Sequence, residues 1–487
     1  MSFLLLEARD IEKYFSNVQI LNVKNFKIYS GDRLGFVGAN GSGKTTFLNI
    51  LSGETPPDYG GVSRYCDIAY IRQFGGIADK DYGGSAQKLG EYGVLDKMEN
   101  PVISGGEKTR IKIAQAFSGN HILIFADEPT SNLDINGIKL FETELAQYES
   151  FILISHDRDL LNKYCNRIMA IENFNIVIYE GNYDAYKSQI DAIRERALFE
   201  YEQYAGEKER LNTVFKDKKI KAEKITKKPG NMSSSEIKQR DFVATSRSFD
   251  GRQKRADQAA KAVQSRIDQM DVKEKPRETP TMKLDFNLTD PPRGKLIFTG
   301  KNISYAYGEN VLFKDAEFEV ANGAKVAVQG ANGSGKTTFL NLVFNGNFNL
   351  APKVKIGYYR QDFEQLDMNK TVLQNAVADS VQPETAVRSV LARLLFNRDA
   401  INKTAGVLSG GERVKLSLAK LLVSSCNALL LDEPTNYLDL PSLEILQSIL
   451  REYEGTLMFV SHDRAFVDAV HTESLLIRGH KLVRVIK

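Results

Sequence analysis

The chain has 487 residues, 65 Lys and Arg against 62 Asp and Glu, a formal net charge of +3, and a hydrophobic fraction of 42%. That length suits two or three domains with the apolar content of ordinary globular protein. No stretch reaches the roughly 20 continuous apolar residues of a membrane span. Met1-Ser2-Phe3-Leu4-Leu5-Leu6-Glu7 is too short and too soon charged for a secretory leader. Cys66, Cys165 and Cys426 are too dispersed for a metal site and read as free thiols of a reducing cytosol.

The first informative element is the apolar run Arg33-Leu34-Gly35-Phe36-Val37, which predicts a buried strand feeding a loop and then a helix. The loop, Gly38-Ala39-Asn40-Gly41-Ser42-Gly43-Lys44-Thr45-Thr46, contains the pattern G-x-x-x-x-G-K-[ST]. Glycines let backbone amides wrap a phosphate, Lys44 reaches the β- and γ-phosphates, and Thr45 offers its hydroxyl to Mg²⁺. The following helix adds its positive N-terminus. Downstream come Tyr70-Ile71-Arg72-Gln73 and the helix start Ile103-Ser104-Gly105-Gly106-Glu107. An apolar strand then ends in Asp127-Glu128-Pro129-Thr130, and another is followed by Ser155-His156-Asp157-Arg158.

The character of the chain then changes. From Asp184 to about Ile225 it is dense in Glu, Lys, Arg and Ala with no Pro, and a second such run covers about Arg252 to Met270. These predict two long polar helices broken by Lys227-Lys228-Pro229-Gly230 and its Ser-rich continuation, with an irregular tip bearing Phe242, Val243 and Phe249. Between Lys208 and Lys261 there are sixteen Lys and Arg against seven Asp and Glu. Such local charge suggests a polyanionic partner, with a merely solvated helix face as the alternative. The aromatic residues of the tip have a second reading too, as hairpin core.

After the Pro-rich stretch from Pro276 to Pro292 the whole motif series recurs. A strand Lys325-Val326-Ala327-Val328-Gln329 leads to Gly330-Ala331-Asn332-Gly333-Ser334-Gly335-Lys336-Thr337-Thr338, and the match with the first loop runs unbroken for twelve residues, to Asn341. Gln361 follows, and from the loop through Leu408-Ser409-Gly410-Gly411-Glu412 and Asp432-Glu433-Pro434-Thr435 to Ser461-His462-Asp463-Arg464 the offsets stay at 292 to 306 residues, with the glutamine at 288. The expectation is two tandem α/β P-loop ATPase domains, residues 1–187 and 293–487, each with a mainly parallel sheet, joined by a helical hairpin over 188–292.

This ordered set, present twice, resembles the ATP-binding cassette superfamily over nearly all of both halves. The resemblance implies ATP and Mg²⁺ as cofactors. Asp127 and Asp432, with Thr45 and Thr337, would hold Mg²⁺, and Glu128 and Glu433 would act as general bases. His156 and His462 would contact the γ-phosphate, and Gln73 and Gln361 would sense the metal and water. Phe15 and Tyr307 would stack on adenine, although Phe15 also has a plain packing reading. In that superfamily the Ser-Gly-Gly motif acts across a dimer interface. Here the dimer is intramolecular, so the chain is expected to be a monomer. The Lys44 loop would pair with Ser409, Gly410 and Gly411, and the Lys336 loop with Ser104, Gly105 and Gly106.

Transporter ATPases couple through a helical subdomain between the glutamine and the signature. In the first half that interval spans only 31 positions and contains six glycines, against 48 positions in the second. Tandem cassettes with a charged helical linker and no membrane segment are similar to the F subfamily, which comprises cytoplasmic, ribosome-associated translation factors and antibiotic-resistance proteins. In that family the linker enters the exit site of the 70S ribosome and touches the P-site tRNA and 23S rRNA. Lys216, Lys218, Lys219 and Lys221 would then meet phosphates, and Phe242, Val243 and Phe249 would approach the peptidyl-transferase region. The long linker and shortened first-cassette interval resemble the resistance type, which acts against lincosamides, streptogramin A and pleuromutilins. The alternatives are a housekeeping translation factor and, more remotely, a fused ATPase subunit of a transporter.

Overall fold

Five-residue apolar runs such as Leu123–Asp127 and Ser150–Ile154 are buried at every position. That pattern belongs to parallel strands covered on both faces. The computed structural model describes residues 3–73, 86–95, 105–131, 133, 135–226, 242–276, 284–308, 310–331, 333–360, 363 and 365–486. Its contacts divide the chain into one unit of Met1–Tyr186 with Thr279–Lys487 and another of Lys187–Glu278.

The first unit contains the same α/β architecture twice. In the first copy a six-stranded sheet runs in the spatial order Ile68–Ile71, Leu123–Asp127, Ser150–Ile154, Arg33–Val37, Arg167–Glu172, Asn175–Glu180. All neighbours are parallel except the last pair. The second copy repeats this order with Ile356–Tyr359, Ala428–Asp432, Thr456–Val460, Lys325–Gln329, Glu473–Arg478 and Lys481–Ile486. Each copy adds a three-stranded antiparallel sheet, centred on Leu4–Phe15 in the first and Leu296–Tyr307 in the second.

One apolar layer in each copy lies between its two sheets and the helix after the phosphate loop, Lys44–Ser52 or Lys336–Phe344. The other layer packs the opposite face of the parallel sheet under helices such as Gly105–Ala116 and Gly410–Val423. Leu440, from the second copy, is buried inside this layer of the first copy. The two copies therefore share apolar core as well as polar contacts.

The predicted linker boundary at 292 does not match the packing. Leu284 and Phe286 lie against the core of the second copy. Asp285 exchanges two hydrogen bonds with Gln382: its N–H donates to Oε1 at 3.1 Å and its carbonyl accepts from Nε2 at 2.9 Å. Composition alone reads this Pro-rich stretch as connector, because its anchors are tertiary.

The second unit is built on the helices Tyr183–Thr226, whose first turn belongs to the first unit, and Phe242–Asp268. Antiparallel pairing is legible in its contacts. Glu200 meets Lys273 at 3.7 Å, Glu207 meets Arg266 at 3.7 Å, and Lys218 Nζ donates to the Ala259 carbonyl at 3.5 Å. Leu211 and Ala260 are buried between mostly exposed neighbours. The second helix starts ten residues earlier than the predicted Arg252, so Phe242, Val243 and Phe249 have helical backbone and do not form an irregular tip. Gly251 alone does not break it, since one interior glycine costs only about 1 kcal/mol against alanine. The side chains of those three residues, and the breaker at 227–235, lie outside the described residues.

Leu211 anchors an otherwise polar hairpin, so Leu211→Ala is expected to cost about 2–3 kcal/mol locally. Hydrogen exchange should quicken along Tyr183–Thr226 and leave the strand Ser150–Ile154 protected.

Candidate functional site

Parallel strands bring their carboxyl ends to one edge, and ligand sites of such sheets form there. Leu123–Asp127, Ser150–Ile154 and Arg33–Val37 are adjacent in the first sheet. Hence Asp127-Glu128, Ser155-His156 and the Gly38–Thr46 loop converge, although they are far apart in sequence. The second sheet repeats this with Asp432-Glu433, Ser461-His462 and the Gly330–Thr338 loop.

The loops need left-handed backbone. Gly41 and Gly333 both have φ 75°, and the helix-capping Gly43 and Gly335 have φ 103° and 97°. Lys44 Nζ donates to the carbonyls of Gly38 and Ala39 at 2.8 and 2.9 Å, and Lys336 Nζ to Gly330 and Ala331 at 3.1 Å each. Burial lowers the Lys44 pKa from its ordinary value. Thr45 Oγ1 donates to Asp127 Oδ2 at 2.6 Å, and Thr337 makes the corresponding bond to Asp432. Thr46 and Thr338 stand half-buried in the first turn of each helix.

Glu128 and Glu433 are the most telling residues. Both have positive φ, 49° and 50°, where a side chain is strained. The same departure in both copies points to a constraint on where the carboxylate must sit. Burial, then the charge of Asp127, pushes the Glu128 pKa up to about 8. Burial and Asp432 push Glu433 up to about 7. His156 Nε2 lies 3.2 Å from Glu128 Oε1, and His462 Nε2 lies 3.3 Å from Glu433 Oε1. Burial, then the charge of Lys44, holds His156 down at about 4, so its ring is neutral. A carboxyl group poised near neutrality beside a neutral imidazole suits proton acceptance from water.

One loop is met from the other copy. Asn40 N donates to Asp439 Oδ2 at 3.0 Å and Asn40 Nδ2 donates to the Tyr437 carbonyl at 2.7 Å. Gly411 faces the same place, since a Cβ there would lie 2.5 Å from Tyr437 O and 3.5 Å from Asn40 Nδ2. Ser409 caps the helix Gly410–Val423 in a capping box with Glu412. Burial works against the charge of Asp439, but bonds from Ser442 and Asn40 keep its pKa below the ordinary value.

Of the other candidates, Gly105 and Gly106 open the helix Gly105–Ala116, and Gln73 is exposed just beyond the strand Ile68–Ile71. Phe15 and Tyr307, at matching strand ends, are 50% and 59% exposed, so neither is core packing. Ser104, Asn332 and Gln361 lie outside the described residues. Tyr437 and Asp439 were not among the residues singled out from sequence. The signal was there, because a Leu-Asp pair follows Glu-Pro-Thr in both copies, at Leu133-Asp134 and Leu438-Asp439.

Both loops fit a bound triphosphate. Ser42 Oγ and Ser334 Oγ are buried without a hydrogen-bond partner among the described residues, and buried polar atoms are rarely left so. The paired hydroxyl and carboxylate of Thr45 with Asp127, and of Thr337 with Asp432, are a hard-oxygen set suited to Mg²⁺.

The ABC transporter family matches the chain twice, over residues 21–131 and 313–436. A ribosome protection protein of Bacillus subtilis, VmlR, is 31% identical across 94% of this chain and 83% of its own length. An erythromycin resistance ATP-binding protein of Staphylococcus epidermidis, MsrA, is 30% identical across 98% of each chain. Among solved structures, RNase-L inhibitor superposes with a TM-score of 0.62 at 18% identity, over 96% of this chain and 87% of its own, and shares the fold.

Removing an exposed ring that stacks on a base costs about 1–3 kcal/mol. Phe15→Ala and Tyr307→Ala are each expected to weaken ATP binding about tenfold at one site only, measured by titration with a fluorescent nucleotide.

Proposed function

We propose, from the premise that the chain belongs to the F subfamily of ATP-binding cassette proteins, of the antibiotic-resistance type, that it hydrolyses ATP to bind and release the bacterial ribosome and so protects the peptidyl-transferase region from antibiotics. The observation that carries the switch is the contact of the Asn40 loop with Tyr437 and Asp439 of the other cassette. A nucleotide seated there touches both cassettes and favours their closure, and its hydrolysis removes that preference.

The chemistry follows from the residues. Loop amides and Lys44 bind and orient the triphosphate, as do their counterparts around Lys336. Thr45 with Asp127, and Thr337 with Asp432, would hold Mg²⁺, which supplies positive charge to the β- and γ-phosphate oxygens. Glu128 or Glu433 takes a proton from water as its oxygen bonds to the γ-phosphorus. The bond from that phosphorus to the bridging oxygen breaks, leaving ADP and phosphate. His156 and His462, half-buried beside the carboxyl groups, hold the γ-phosphate in line.

The partner is proposed from the linker and from the names of the relatives. Lys216, Lys219 and Lys221 are exposed on the hairpin and free to meet rRNA or tRNA phosphates. Lys218 is half-buried and turned to the Ala259 carbonyl, so it contributes less. Among the described residues no helix is long and apolar enough to cross a membrane. From the ribosome protection named for the relative, the proposed place of action is the cytoplasm, on the 70S ribosome, with the linker entering through the exit site toward the P-site tRNA. Lincosamides, streptogramin A and pleuromutilins are the expected drug classes.

Expression in a drug-sensitive bacterium tests this directly. The parent chain is expected to raise the inhibitory concentration of at least one of these classes. Glu128→Gln with Glu433→Gln should abolish protection, lower ATP turnover by about a hundredfold or more, and trap the protein on ribosomes in sucrose gradients. Loss of the gene slowing translation without any change in drug susceptibility would support the housekeeping factor. Co-purification with a permease and no ribosome would support the transporter subunit.

A further inference from the structure

One helix of the second cassette, Leu440–Glu452, touches three things that have no other reason to meet. Its N-cap, Asp439, accepts from Asn40 of the first nucleotide loop at 3.0 Å. One turn along, Glu444 Oε1 accepts from the Tyr183 hydroxyl at 3.0 Å and lies 3.9 Å from Arg158 Nη2. At the far end, the C-cap residue Tyr453 packs edge-on against Phe286, with ring centroids 5.7 Å apart. Tyr183 is the first residue of the 44-residue helix that becomes the linker. Phe286 lies where the chain comes back from it. Arg158 follows His156 of the Lys44 site by two residues.

We infer that the Leu440–Glu452 helix couples occupancy of the Lys44 site to the root of the linker, with Glu444 and Tyr183 as the positioning residues of that coupling. This rests on the reading of the Lys44 loop as a nucleotide site. The helix is a rigid connector of three and a half turns. It is wedged between the cassettes, with Leu440 buried in the core of the first and Leu443, Leu446, Ile449 and Leu450 in the core of the second. A shift of the Asn40 loop that moves Asp439 therefore moves Glu444 with it. Tyr183 is 5% exposed and bonded to that carboxylate, so it must follow or lose a part-buried hydrogen bond.

The device is one-sided. At the same 305-residue offset that relates Asp432 to Asp127, Glu444 corresponds to Lys139. A lysine cannot accept from a tyrosine hydroxyl or attract an arginine. The matching helix of the first cassette, Ile135–Leu145, thus lacks the acceptor. The two nucleotide sites are chemically alike in their loops and differ in what they are wired to. Coupling to the linker root belongs to the Lys44 site.

The test uses the full chain without ribosomes or drugs, so it is separate from the ribosomal reading. Hydrogen exchange of residues 183–200 is followed with and without ATP, alongside nucleotide affinity, in the parent and in Tyr183→Phe, Glu444→Ala and Glu444→Gln. The parent should gain protection at the linker root when ATP binds. Tyr183→Phe and Glu444→Ala should each reduce that gain about fivefold, the worth of one hydrogen bond, while ATP-free protection and ATP affinity stay within about twofold. The double variant should lose no more than either single one, because both remove the same contact. Glu444→Gln keeps an acceptor oxygen and should recover part of the response. Lys139→Ala should leave the response unchanged. An ATP response that survives both Tyr183→Phe and Glu444→Ala overturns the coupling, as does equal loss in the ATP-free protein. A parent that binds ATP without any response at the root also overturns it. A parent that binds no ATP overturns the nucleotide reading as well.

Discussion

The architecture of this molecule depends on a glycine-turned loop whose buried serine hydroxyl has no partner of its own among the described residues. The Gly38–Thr46 loop and its copy at Gly330–Thr338 turn glycines through positive φ and leave the hydroxyls of Ser42 and Ser334 buried without hydrogen bonds among the described residues. Unsatisfied donors around a concave backbone are an anion site. At the first loop the structure also recruits Asp439 and the Tyr437 carbonyl from the other cassette. On the proposed function, anion binding at this loop and association of the two cassettes are the same event.

Strain and electrostatics sit where that event is converted into chemistry. Glu128 and Glu433 hold a backbone conformation that non-glycine residues rarely adopt, and the cost is accepted twice in one chain. Burial with Asp127 or Asp432 alongside raises both carboxyl groups toward neutrality. The near-identity of the two sites contrasts with their surroundings. Glu444 joins the first site's neighbour helix to the linker root, while the corresponding Lys139 cannot.

The parts of the site that come from short windows were legible in the sequence. Glycine spacing, the Lys-Thr pair, Asp-Glu after an apolar strand and Ser-His after another each encode local chemistry, and their repetition made the duplication plain. The two long helices were also legible from composition. What was not legible is what tertiary contact decides. Asn40 and Asp439 are 399 residues apart, and nothing local marks their bond. The Phe286 segment reads as connector until its packing on Tyr453 is seen. The second linker helix begins at Phe242 because neighbouring helix formers carry it through Gly251, where a residue-by-residue reading stops.

The central claim is that a carboxylate of the second cassette governs the nucleotide loop of the first. Asp439→Asn isolates it. The amide oxygen still caps Leu440–Glu452, where asparagine is as good a cap as aspartate, but its NH₂ cannot accept from Asn40 N. Equilibrium titration with ATP in a Lys336→Ala background reads the Lys44 site alone. The account predicts affinity weakened about tenfold, the worth of a hydrogen bond to a charged acceptor, with the melting temperature preserved. Unchanged affinity at the Lys44 site would contradict it.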